Sequence, residues 1–267
     1  MLNEAEICSH FDTQLQQRMD LVNRQDAIGF NYRQKTLWFI NRLQNVSGRL
    51  LDIGCNVGNI AHFLRQNGIS AGQLEYTGID IAEESIHAAK HRNIPGTAFQ
   101  VASILQLPFP DESFDAVTMM EVIEHVPDQS AAMAETARVL KPNGLLFLST
   151  PNADCKPWLF DERLKSFALQ LLGRKVLDRH TPLTLSALVN ILLQNNLTLL
   201  DGSGYYWYRP YHILKGYLWW PPHLAVRGLL SAMKYCINIE QNGLTMQRKR
   251  SYCQSIVISA RKKIDFK

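Results

Sequence analysis

Two short stretches of this 267-residue chain carry residue types at spacings that can do chemistry. The first is LLDIGCNVGN, residues 50–59, where an apolar run ends in a turn with Gly54 and Gly58. Two glycines there let backbone approach a bound group closely, and the free N–H groups of a following helix would face an anion. A nicotinamide-type G-x-G-x-x-G turn is excluded, because Asn56 and Asn59 hold its second and third glycine positions. Asp52, just ahead of the turn, would repel a pyrophosphate and suits a ligand that carries an ammonium beside a carboxylate. The second stretch is EVIEH, with Glu121, Glu124 and His125 at i, i+3 and i+4, so a helix would put all three on one face. Two carboxylates and an imidazole can hold a divalent cation such as Mg2+, which lowers the pKa of a bound hydroxyl; without a metal they can supply a general base.

The elements that must position these groups form an alternating β/α series. Strands are expected at 49–55, 76–81, 98–102, 114–119, 145–149, 197–202 and 254–261, with helices at 59–66, 83–91, 130–140 and 184–195. The pattern implies right-handed crossovers and a doubly wound parallel sheet of seven strands, the last one antiparallel after a long return. In such a sheet the turn after the first strand lies where ligands bind. Residues 1–47 read as an N-terminal helical segment with Trp38, Phe39, Ile40 and Leu43 as its apolar face, leading into a domain over 48–262 and a short tail at 263–267. Hydrophobic residues make up 46% of the chain, enough for a full core, and the net charge of +4 with a pI near 8.8 is only mildly basic. Five scattered cysteines without CxxC spacing argue against a disulfide framework or cysteine zinc site and fit a cytoplasmic protein. The first residues carry acids and no apolar h-region, so no secretory signal is expected.

In order and spacing, LLDIGCNVGN, YTGID, LPFPDESFDAV, EVIEHVPD and RVLKPNGLLFLSTPN resemble the motifs of class I S-adenosylmethionine (SAM)-dependent methyltransferases, and within them the O-methyltransferases of ubiquinone biosynthesis. The resemblance implies a Rossmann-like fold over roughly Leu50 to Thr150. It places Asp52, Gly54, Cys55, Asn56 and Gly58 around the methionine part of SAM, Asp80 on the ribose hydroxyls with Ile81 beside it, Ser103 and Ile104 at the adenine, and Glu121 at the methyl end. Asn56 stands where relatives usually have glycine, and Ser103 where they often have an acid. The ExxEH arrangement is similar to one that holds magnesium in ubiquinone O-methyltransferases and in small-RNA terminal 2′-O-methyltransferases; by that likeness Glu121, Glu124, His125 and His180 of DRHTPLT are the expected metal set. His125, His180 and Glu121 are the candidates for deprotonating an acceptor hydroxyl. Arg33, in NYRQK, is a further candidate for the SAM carboxylate.

Two insertions, at about 153–182 and 208–250, are expected at the catalytic edge as a lid. The aromatic stretch YYWYRPYHILKGYLWWPPHL, residues 205–224, suits an aromatic or isoprenoid acceptor, or peripheral contact with the inner membrane surface. The sequence therefore predicts O-methylation of a quinol or vicinal-diol acceptor. A carbohydrate or lipid-linked glycan is the alternative acceptor, RNA ranks third for want of a nucleic-acid module, and a SAM-binding sensor or scaffold is the non-catalytic reading.

Overall fold

Alternation along β1 (Gly48–Ile53) sets up the two layers of the molecule. Leu51 and Ile53 face one side of the sheet and Leu50 and Asp52 the other, as the two-residue period of a strand requires. The computed structural model describes residues 27–155, 181–205 and 255–264. After α1 (Ala27–Leu43) and β1 come α2 (Asn59–Gln66), β2 (Leu74–Asp80), α3 (Glu83–His91), β3 (Thr97–Val101), β4 (Phe114–Met120) and a one-turn 3-10 helix (Ile123–His125). The series continues with α4 (Gln129–Val139), β5 (Leu140–Pro151), α5 (Leu185–Gln194), β6 (Leu197–Tyr205) and β7 (Ser255–Lys262).

The seven strands lie in the order β3-β2-β1-β4-β5-β7-β6, and β7 runs antiparallel to both neighbours. One core joins Leu51, Ile53, Val117, Met119 and Leu148 to Met133 of α4 and to Leu188 and Leu192 of α5. The opposite core joins Leu50, Tyr76, Ala116 and Val257 to Phe39 and Leu43 of α1, Leu64 of α2 and Ile86 of α3. Trp38, Phe39, Ile40 and Leu43 are all buried, so the apolar stripe of α1 closes this second layer.

Most elements fall within a residue or two of the sequence expectation; β6 runs on to Tyr205, and β1 and β5 differ in ways that bear on the site. β1 ends at Ile53, which leaves Gly54 and Cys55 to the turn. β5 starts at Leu140, immediately after α4, because Phe114 pairs with Leu140 and Ala116 with Leu145, so Lys141–Gly144 are taken up in an irregularity with Asn143 at φ 64. Arg138 pins the LPFPD segment to α4: its guanidinium donates to the carbonyls of Leu107 and Phe109 and to Asp111, while Glu135 accepts from the Leu107 amide at 2.9 Å. The greater part of both expected lid insertions, residues 156–180 and 206–254, lies outside the described residues, as does the start of the N-terminal segment.

Candidate cofactor and proton-transfer site

The turn between β1 and α2 is built on three residues in the left-handed region: Gly54 at φ 70, Asn56 at φ 53 and Gly58 at φ 74. A Cβ on Gly54 would fall 2.3 Å from Cγ2 of Val122, and one on Gly58 would fall 2.9 Å from the Phe99 ring. Glycine is thus required at both positions on two counts, conformation and space. Asn56 takes up its positive φ with its own side chain as support: Oδ1 accepts from the Val57 amide at 2.8 Å. The tight turn survives the departure from glycine.

Asp80, at the carboxyl end of the neighbouring β2, is buried at 7% exposure and fastens the turn. One carboxylate oxygen accepts from the Asn56 amide at 2.9 Å and the other from the Ala82 amide at 3.0 Å. Two carboxylate oxygens side by side are the acceptors that a cis-diol pairs with. Ser103 follows β3, and its hydroxyl accepts from the Leu105 amide at 3.1 Å, which shapes the segment that leads to Ile104. Ile81 is half-buried, and Ile104 is packed in the core.

Two of the residues expected at the ligand, Asp52 and Cys55, have their side chains in the core. Asp52 points into the layer under α1 and α2, where it accepts hydrogen bonds from the Tyr76 hydroxyl and, at 2.7 Å, from Thr118 Oγ1. It is 1% exposed, and burial pushes its carboxyl up to about 7 against the pull of those two hydroxyls. Asp52 therefore ties β1, β2 and β4 together beneath the turn. The Cys55 side chain is likewise a core group, lying over Gly78, and burial raises its thiol; its backbone N–H donates to the Ile79 carbonyl at 2.8 Å.

After β4, Glu121 sits in a strained backbone position, φ 55, with its amide on the Ser149 carbonyl at 3.0 Å. Its Oε1 accepts from Ser149 Oγ at 2.8 Å and pairs with Lys35 Nζ at 3.2 Å. Lys35 is itself buried and donates on to Ser255 Oγ at 3.3 Å. Glu124, at 2% exposure, accepts from Thr150 Oγ1 at 3.3 Å, and burial together with the Glu121 charge holds its carboxyl well above the usual range. His125 Nε2 lies 3.9 Å from Glu124 Oε1. The stretch is a single 3-10 turn rather than the start of an α-helix, so Glu121, Glu124 and His125 do not share the face their spacing predicts.

Three of the four expected metal ligands, Glu121, Glu124 and His125, are described, and they form no cation site with one another. Among the described residues no three His, Cys, Asp or Glu side chains converge on a cation position. The donors explain this: Glu121 is already paired with an ammonium, and Glu124 sits where burial favours its protonated form. His180 lies outside the described residues. Its neighbour Thr181 donates its amide to the Glu124 carbonyl at 2.8 Å, and Gln129 Nε2 donates to the Thr181 carbonyl at 2.8 Å, so the chain at 181 is fastened beside the EVIEH turn. Arg33 is half-buried on α1. Lys35 is the site residue that sequence reasoning missed; its signal is a lysine three and four residues before the buried Trp38 and Phe39, within the apolar stripe.

Comparison with known proteins gives the family. Residues 51–148 match the family described as a methyltransferase domain. The ubiquinone biosynthesis O-methyltransferase of Neisseria meningitidis serogroup A is 30% identical over 194 residues, covering 67% of this chain and 78% of that protein. The protein of the same name from Pseudomonas aeruginosa is 34% identical over 145 residues, covering 53% of this chain, and the chain spans 60% of its length. Among solved structures, magnesium protoporphyrin IX methyltransferase from Synechocystis, with bound SAH, superimposes at a TM-score of 0.66 with 15% identity over 98% of this chain and 100% of that one. A [4+2]-cyclase also superimposes at 0.66, with 17% identity over 99% of this chain and 98% of that one. Both likenesses establish the fold alone.

Proposed function

The chain belongs to the class I SAM-dependent methyltransferases, and from that premise we propose that it transfers the methyl group of SAM to a hydroxyl of a small quinol or vicinal-diol acceptor. The observation that carries the reading is the fastening of the glycine turn to Asp80 through the Asn56 amide, at 2.9 Å. It sets a carboxylate beside a backbone turn that needs glycine at Gly54 and Gly58, which suits a ribose next to a methionine moiety. The names of the Neisseria and Pseudomonas relatives favour oxygen as the acceptor atom and a quinol as its class.

In this reading the acceptor oxygen attacks the sulfonium methyl carbon. The carbon–sulfur bond breaks, its electron pair stays on sulfur, and S-adenosylhomocysteine leaves. The acceptor proton must go to a base, and His125, half-buried in the EVIEH turn just past the end of β4, is the first candidate. His180 is the second candidate. Glu121 acts through position: with Lys35 and Ser149 it fixes the turn that carries Val122 against Gly54. Among the described residues no donor set fits a metal ion, so proton removal is assigned to the imidazole alone.

The test is transfer of labelled methyl from SAM into a deproteinised extract, separated into organic and aqueous fractions. Label in the organic fraction, reduced at least a hundredfold by His125→Gln, supports the quinol reading. Aqueous label moves the acceptor to a sugar or glycan. Intact SAM binding with no label anywhere would convert the enzyme into a SAM-binding sensor.

A further inference from the structure

Helix α3 carries a histidine pair that the methyl-transfer reading does not use. His87 and His91 stand four residues apart on the exposed face of the helix, their ring centroids 4.3 Å apart. Their Nε2 atoms approach to 3.1 Å. Two neutral imidazoles can come that close only by sharing one proton, one nitrogen donating and the other offering its lone pair. A dication placed between them would take both lone pairs.

The distance decides which dication. With metal–nitrogen bonds of about 2.0–2.1 Å, nitrogens 3.1 Å apart subtend about 95–102° at the metal. That lies between the cis angle of a square-planar centre, about 90°, and the tetrahedral angle, about 109°. Imidazole suits zinc, nickel and copper, whereas magnesium and calcium take oxygen ligands. No third His, Cys, Asp or Glu of the described residues joins the pair, so the remaining positions would be filled by water.

The geometry points to a transition-metal site at His87 and His91, separate from the methyl-transfer centre and taking a zinc-, nickel- or copper-class dication. Its location gives it a structural consequence. Arg92, the residue after His91, sends Nη1 to the Val57 carbonyl and to Asn59 Oδ1, both at 2.8 Å. A metal that clamps the last turn of α3 therefore stiffens the residue that holds the first turn of α2, directly after the glycine turn.

Nickel chloride titrated calorimetrically into the full chain tests this, in a buffer without metal ligands. Expected is one Ni2+ per chain in the wild type, at least tenfold weaker binding in His87→Ala and in His91→Ala, unchanged binding in His125→Ala, and no heat with magnesium chloride. Both α3 histidines are exposed, so the metal-free variants should melt with the wild type. Absence of nickel binding in the wild type, or binding that survives both α3 substitutions, overturns the site, and neither outcome bears on methyl transfer.

Discussion

Asp52 is where a single proton couples most directly to the fold. Its carboxyl is raised from 3.8 to about 7 by burial, with the Tyr76 and Thr118 hydroxyls opposing. Between those two pH values the folded state holds a proton that the unfolded chain has released, so stability falls as pH rises through the window and levels off above about 7. Asp52→Asn removes the titration and retains the polar contacts. Denaturant unfolding at about pH 5 and about pH 8 should show a smaller drop in the variant than in the wild type; equal drops would contradict the assignment. Strand alternation already contains this orientation, since Asp52 shares a face with Leu50. Lys35 was less legible, because a lysine in a helix ordinarily reads as solvated and only its partner Glu121, 86 positions away, makes burial tolerable. Lys35→Met leaves Glu121 and Glu124 without that cation and should cost about 1–3 kcal/mol of unfolding free energy. Lys35→Arg should recover part of it, and a methionine variant as stable as the wild type would refute the pairing.

At the scale of elements, the β1–α2 turn is the unit that function depends on. Gly58→Ala combines a positive φ with a Cβ 2.9 Å from Phe99, whereas Gly68→Ala, at φ 80, meets nothing within 4 Å. Gly58→Ala should therefore lose about 1–3 kcal/mol, and clearly more than Gly68→Ala, by thermal unfolding; equal losses would mean that the contact with Phe99 is not tight. The strands and helices around this turn were legible because each combines apolar periodicity with a turn signal: α2 and α3 fall at the expected residues, 59–66 and 83–91. β5 was underestimated because KPNG reads as a loop, yet the pairing of Leu140 with Phe114 carries the strand through it. The EVIEH turn was misread for a related reason. Spacing that places three side chains on one α-helical face says nothing about a backbone that turns through φ 55 at Glu121 and then makes a 3-10 turn.

For the whole molecule, the strand order sets the ligand site. β1 lies between β2 and β4, so the glycine turn, Asp80 and Glu121 emerge side by side at one edge of the sheet. The same architecture superimposes equally well on a methyltransferase and on a [4+2]-cyclase, so the reaction has to be read from these side chains and not from the fold. A ligand held at this edge binds only the native state and should raise the melting temperature in proportion to its occupancy. The most direct test is a calorimetric titration of SAM into the wild type and Asp80→Ala. Stoichiometric binding by the wild type, weakened at least tenfold in the variant, is expected, since two hydrogen bonds to a charged acceptor contribute about 1.5–3 kcal/mol each. No binding by the wild type, or the same affinity in both proteins, would contradict the placement of SAM between the glycine turn and Asp80.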